Sequence, residues 1–162
     1  MWQTEDFWQF SLAVYKEAEH LCLQLQNRYA MNVNLVLLCL FLQHRSFTLS
    51  DKNIRALVST LADTESLLQS LRALRRQTKA FDLVAYQHLL SGELALEKRQ
   101  QADLIACLNT QTLVQAEGDN LYLYALALNP AMPHQLKTIL SKLQTETKFD
   151  QGQNDNKFQD LS

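Results

Sequence analysis

The sequence predicts an all-α fold, a single-domain bundle of about six to eight helices. Turn-forming residues are scarce, since the 162-residue chain has 3 glycines and 2 prolines, whereas an all-β chain needs such residues at each turn. Hydrophobic residues make up 47% of the chain and recur at helical spacing, which is enough apolar surface for a core. The length suits one domain.

A central apolar helix over residues 33–44 is the element around which we expect the others to pack. Within its first ten residues only Asn34 is polar, so this helix should be surrounded by other helices. It is shorter than the ~20 apolar residues that a membrane span needs. Asn32 is a favourable N-cap for it. Asn34 shares a face with apolar residues, where it makes either a structural polar contact or a contact to a ligand.

Helical spacing extends on both sides of this segment. Residues 5–29 form either one helix or two helices that meet at a kink near Lys16. Ser50 and Asp51 open the next helix, whose buried stripe is predicted to contain Ile54, Leu57, Val58 and Leu61. Asp63 or Thr64 is predicted to restart a helix that runs to about Ala80.

A cluster of cations lies on that last helix. Arg72, Arg75, Arg76 and Lys79 fall at i, i+3, i+4 and i+7 and therefore share one face. Leu67, Leu71 and Leu74 lie on the opposite side, although Leu68 falls within the cationic arc and makes the division less clear.

The remaining elements are shorter. Residues 81–90 read as a helix that ends at Gly92, either a C-cap or a soft joint. A helix over residues 93–108 follows, with Leu94, Ile105 and Leu108 inward and with Glu93 and Glu97 one turn apart. Residues 121–128 are predicted as helix rather than strand, and a last helix buries Leu136, Ile139, Leu140 and Leu143. We expect a domain over residues 1–145 and a polar, disordered tail over residues 146–162.

Four stretches of the chain resemble an uncharacterised family of small bacterial proteins, catalogued as domain of unknown function 2390. They are the WQFSLAVY stretch from Trp8, the CLQLQNRYAMNVNLVLLCLFL stretch from Cys22, the LRALRRQTK stretch from Leu71, and Glu93 to Glu97. Asn32 stands where the family pattern has Asp, and Ser70 where it has Pro. The resemblance implies an all-helical fold and no known activity.

Motifs for catalysis or metal binding are not found in the sequence. The four histidines are isolated, and there is no HExxH, P-loop, GxGxxG or GxSxG motif, so we expect no metal and no cofactor. A net charge of -2 is not typical of a nucleic-acid binder. The first ten residues are acidic rather than typical of a signal peptide. We therefore expect a cytoplasmic protein without a membrane span, with Cys22, Cys39 and Cys107 as buried, reduced thiols.

The two charged clusters lead to three hypotheses. In the first hypothesis, both clusters are solvated helix faces. In the second, they meet in an internal ion-pair network, and in the third, the arginines bind an anionic ligand. The cationic cluster is Arg72, Arg75, Arg76 and Lys79, and the acidic pair is Glu93 and Glu97. The first hypothesis on function is a non-enzymatic module that acts through self-association or a protein partner. The alternative is a binder of a small anionic ligand, or an enzyme acting on one, with these cations and Asn34 in a pocket between helices.

Overall fold

The all-α fold class is confirmed by a computed structural model, which describes residues 1–147. Helix accounts for 78% of these residues. The six described helices are α1 (Thr4–Tyr29), α2 (Val33–His44), α3 (Asp51–Thr78), α4 (Leu83–Leu108), α5 (Asn120–Leu128) and α6 (His134–Thr147). Two strands of two residues each, β1 (Phe47–Thr48) and β2 (Val114–Gln115), pair with one another. No helix in the described range combines the length and the hydropathy that crossing a membrane requires.

The chain divides into two compact units. The first unit contains Met1–Gln9 and Leu49–Val114, and the second contains Phe10–Thr48 and the residues from Gln115 onward. The division into a domain over residues 1–145 and a tail remains a prediction. Helix α6 continues to Thr147, two residues past the predicted boundary, and the rest of the predicted tail lies outside the described residues.

Helix α2 is the apolar centre of the second unit, as the sequence predicts. Every residue from Asn34 to Leu42 is buried. The side chain of Asn32 caps the helix by accepting a hydrogen bond from the backbone N–H of Leu35 at 3.0 Å. The N–H of Asn32 donates to the hydroxyl of Tyr124 on α5 at 2.9 Å. A buried helix end needs such partners, because an unpaired backbone group would cost about as much as a lost hydrogen bond.

Helix α1 contains the kink that the sequence left open. It runs without interruption by Gly or Pro, but Ala18 has non-helical backbone angles, φ −124° and ψ 19°. The kink lies two residues beyond the predicted position at Lys16. Ala18 is fully buried.

Helices α3 and α4 are each continuous, and two predicted breaks are absent. Asp63 and Thr64 lie within α3, and Gly92 lies within α4. A Cβ atom at Gly92 would lie 3.3 Å from Cδ2 of Leu71, so the glycine permits a close approach of the two helices. Gly92 is therefore a packing residue rather than a C-cap.

The buried side of the distal part of α3, which the sequence left open, includes part of the cationic arc. Leu68, within the cationic arc, is 0% exposed, whereas Leu67 is 57% exposed and Leu74 is 52% exposed. On α4, Ile105 and Leu108 are buried as predicted, but Leu94 is 47% exposed. Arg72, Arg75 and Glu93 are buried or half-buried in this region, whereas Arg76 and Lys79 are exposed.

Two neighbouring leucines test this orientation. We expect Leu68→Ala to lower the free energy of unfolding by about 2–4 kcal/mol, because it leaves a cavity in a closed interior. Leu67→Ala, the matched control, should change it by less than ~0.5 kcal/mol. Urea denaturation of both variants measures the difference. Equal losses, or a larger loss at Leu67, would contradict the observed orientation.

Candidate functional site

Helices α3 and α4 run antiparallel and bring arginines and glutamates together between them. Arg75 on α3 donates from Nε to Oε1 of Glu93 on α4 at 2.8 Å. The Glu93 side chain is 9% exposed and that of Arg75 is 21% exposed. The hydrogen bond from Arg75 to Glu93 raises the pKa of Arg75, against the opposing effect of burial. The pair is a charge-assisted hydrogen bond within the interior of the hairpin.

Arg72 lies between two further carboxylates. Its Nη1 is 3.7 Å from Oε1 of Glu65, and its Nη2 is 3.8 Å from Oε1 of Glu97. The Arg72 side chain is 13% exposed. Burial raises the pKa of Glu97 and is only partly opposed by the positive charge of Arg72. These ion pairs are longer than the pair of Arg75 with Glu93, so desolvation dominates the pKa at Glu97.

Polar contacts continue along both helices. Gln100 on α4 is buried, and its Nε2 donates to Oγ1 of Thr64 at 3.1 Å and to Oε2 of Glu65 at 3.2 Å. Toward the turn, Nζ of Lys79 lies 5.6 Å from the ring centroid of Tyr86. Polar contacts between α3 and α4 therefore run from Thr64 to the turn, in a segment that also buries Leu68.

The structure separates the predicted site residues. Arg72 and Arg75 are half-buried beside carboxylates, whereas Arg76 and Lys79 are exposed. Asn34 is buried on α2 and belongs to the second unit. Anion binding by the cations and ligand binding by Asn34 remain predictions.

The segment we call the distal hairpin, residues 64–97, exposes several of its large apolar side chains. Seven of them are exposed: Leu67, Leu74, Phe81, Leu83, Val84, Leu90 and Leu94. Other leucines of the segment are buried, as Leu68 is, or half-buried. Five charged residues are buried or half-buried, whereas Arg76, Lys79 and Asp82 are exposed. Burial of charged groups in a segment that exposes leucines departs from the usual arrangement of a soluble helix pair.

Sequence reasoning missed this outer surface because it predicted Leu94 to face inward and left open which side of the distal part of α3 is buried. A signal for it was present. Arg72 and Arg75 on α3 have the opposite charge to Glu93 and Glu97 on α4. Two helices whose charges complement each other in this way are suited to pair through them, which leaves their leucines outside.

Other chemistry is limited within residues 1–147. Burial raises the pKa of the Cys22 thiol to about 12 and also raises the pKa of Cys39, so both thiols stay protonated. Cys107 is half-buried rather than buried, and the three cysteines are free. No group of three or more potential metal ligands occurs among the described residues. A shallow open hollow follows a single helix, α6, and is lined by His134, Lys137, Thr138, Ser141, Lys142, Thr145 and Glu146.

These features define an all-α protein with a polar-cored helical hairpin. The family model described as "Protein of unknown function (DUF2390)" matches residues 6–104, and the chain belongs to this family. The match covers α3 and nearly all of α4. No curated protein and no solved structure matches the chain.

The Arg75–Glu93 pair can be tested by removing one charge. We expect Glu93→Gln to lower the free energy of unfolding by about 2 kcal/mol, because the half-buried Arg75 loses a charged hydrogen-bond partner. The control is Glu97→Gln, which should change it by less than ~1 kcal/mol at neutral pH because its ion pair is long and more exposed. Chemical denaturation at pH 7 gives both values. A Glu93→Gln variant as stable as the wild type would show that the pair does not hold the hairpin.

The direction of the Glu97 pKa shift predicts a pH dependence. Because the folded-state pKa is raised above the ordinary value of 4.5, the folded state binds a proton more readily than the unfolded state. Protonation of Glu97 thus contributes to the free energy of unfolding at low pH. This contribution is lost as the pH rises above the ordinary pKa and through the raised folded-state pKa. The Glu97→Gln variant should gain stability relative to the wild type over this range, measured by urea denaturation from about pH 4 to 7. A constant difference, or one of the opposite slope, would contradict the shift.

Proposed function

We propose that this protein is a non-enzymatic helical module that acts through protein–protein contacts made by the outer surface of the distal hairpin. One observation carries the proposal. In residues 64–97 five charged side chains, those of Glu65, Arg72, Arg75, Glu93 and Glu97, are buried or half-buried, while seven large apolar side chains are exposed. Exposed apolar surface of this kind marks sites of protein association.

The energetics of the exposed residues support the proposal. Full burial of a leucine, valine or phenylalanine side chain contributes about 1.5–3 kcal/mol. Phe81 is 89% exposed at the turn, and six further apolar residues of the distal hairpin are at least a third exposed. Covering them would contribute on the order of 10 kcal/mol before the cost of association is subtracted. The surface is thus adequate for a specific contact.

The cytoplasm is the compartment we propose for the protein. The three free cysteines support this assignment, because an oxidising compartment favours disulfides and Cys107 is only half-buried.

The net charge of -2 makes nucleic acid a poor candidate partner.

The anion-binding alternative has less support. Arg72 and Arg75 already lie beside the carboxylates of Glu65, Glu93 and Glu97, which would repel an anion. Arg76 and Lys79 are exposed, where ion pairs with a ligand are weak. We therefore do not adopt it.

Photo-crosslinking in cells of the encoding organism tests the interaction proposal. A photoreactive amino acid at position 90, on the outer surface of the distal hairpin, should give a discrete covalent adduct of higher mass after irradiation. The adduct forms because the side chain is covered by a partner in the cell. Immunoblotting and mass spectrometry of the adduct measure the outcome.

The matched control is position 12. Leu12 is 48% exposed on α1 and is also a leucine, but it lies outside the distal hairpin. It should give little adduct. If position 90 gives no more adduct than position 12, the distal hairpin is not an interaction surface and the proposal is wrong.

A further inference from the structure

Arg72 lies almost equally far from two carboxylates. Its Nη1 is 3.7 Å from Glu65 on the same helix, and its Nη2 is 3.8 Å from Glu97 on α4. A closed ion pair is about 2.7–2.9 Å long, as the pair of Arg75 with Glu93 is. The guanidinium of Arg72 is therefore shared between Glu65 and Glu97, and it can close on one of them by leaving the other.

The charges of this network do not balance when every group is ionised. Three carboxylates, those of Glu65, Glu93 and Glu97, lie beside the two guanidinium groups of Arg72 and Arg75. The side chains of Arg72 and Glu93 are 13% and 9% exposed, so the excess negative charge lies where water is scarce. A net charge in such a place is unfavourable. Uptake of one proton would make the network neutral.

Glu97 is the group that favours this proton. Burial raises its pKa most strongly, and the negative charge of Glu93, one turn away on α4, raises it further. The positive charges of Arg72 and Arg75 on α3 act in the opposite direction without cancelling the shift. The folded protein thus holds a proton at Glu97 more firmly than the unfolded chain does.

The charges that flank the network are on the surface. The start of α1 reaches this part of α4, because Nζ of Lys98 lies 5.0 Å from the ring centroid of Trp8. The flanking charged groups of α1, α3 and α4 are exposed, so solvent and salt screen them: Glu5, Asp6, Asp63, Arg76, Lys98 and Arg99.

We propose that this network is a pH-sensitive switch, in which one proton taken up at Glu97 determines where Arg72 pairs. When both carboxylates are ionised, Arg72 is shared between Glu65 on its own helix and Glu97 on α4. When Glu97 is protonated, Arg72 closes on Glu65. Because the closed hairpin favours the proton, acid tightens the pairing of α3 with α4, and the effect is lost as the pH rises through the folded-state pKa of Glu97. The switch does not depend on what binds the outer surface.

A carbon-13 NMR titration of the glutamate carboxyl groups in the full-length protein tests the sharing of Arg72. Glu65→Gln removes the competing carboxylate and leaves Arg72 to Glu97, so the pKa of Glu97 should fall by about 0.5 or more. Glu5→Gln, the matched control, removes an exposed carboxylate of the same unit and should leave the pKa of Glu97 unchanged. Equal values for Glu97 in the wild type and in Glu65→Gln would overturn the inference.

The wild type gives a second readout that needs no variant to fold. The guanidinium nitrogen-15 resonances of Arg72 should shift with the same midpoint as the carboxyl carbon of Glu97, because the guanidinium changes its partner when Glu97 titrates. Resonances of Arg72 that stay constant through the titration of Glu97 would also overturn the inference.

Hydrogen exchange measures the consequence for the hairpin. After correction for intrinsic exchange rates, amides of residues 64–97 should be about twofold or more better protected at about pH 4.5 than at about pH 7. Amides of α2 are the internal reference. Glu97→Gln, which cannot titrate, should abolish the difference. Equal protection in the wild type at both pH values, or better protection at the higher one, would show that the proton does not tighten the hairpin and that the inference is wrong.

Discussion

The hydrogen-bonded ion pair of Arg75 and Glu93 is the contact on which the arrangement of the distal hairpin depends. At 2.8 Å and largely removed from solvent, it requires both groups at once, because a buried charge without a partner is costly. The carboxylates beside Arg72 and the amide of Gln100 make further ion pairs and hydrogen bonds along the two helices. Together these contacts fix which residues of α3 lie opposite which residues of α4. A buried ion pair contributes more to the choice of register than to net stability.

Stability of the first unit therefore has to come mainly from elsewhere. Below the polar interior, Leu57, Leu61, Leu104 and Leu108 are buried and supply conventional apolar packing. At the end of α4, the side-chain amide of Asn109 accepts from the N–H of Trp2 at 2.9 Å and donates to its carbonyl at 3.0 Å. The unit is thus apolar at one end and polar-cored at the other.

The second unit has an apolar interior instead. Its central helix, α2, is apolar on all sides, and polar side chains form hydrogen bonds with the chain segments around it. Gln43 accepts from the N–H of Leu121 at 2.9 Å, and Asn120 donates to the carbonyl of Phe47 at 2.8 Å. These contacts satisfy backbone groups at the start of α5 and at β1, which burial would otherwise leave unpaired. Here the pattern of the sequence and the packing of the structure agree.

The sequence by itself determined the all-α class, the central helix and its Asn32 cap, and the inward stripe of α6. Each follows from local chemistry, namely propensity, capping or an apolar period with one possible inward side. Only the tertiary structure decided which face of α3 and α4 is buried. Both helices carry leucines on one face and charges near another. Periodicity identifies such faces but does not show which of them is buried. The buried face depends on the neighbouring helix, because Arg72 and Arg75 become suitable for an interior only when Glu93 and Glu97 lie opposite them.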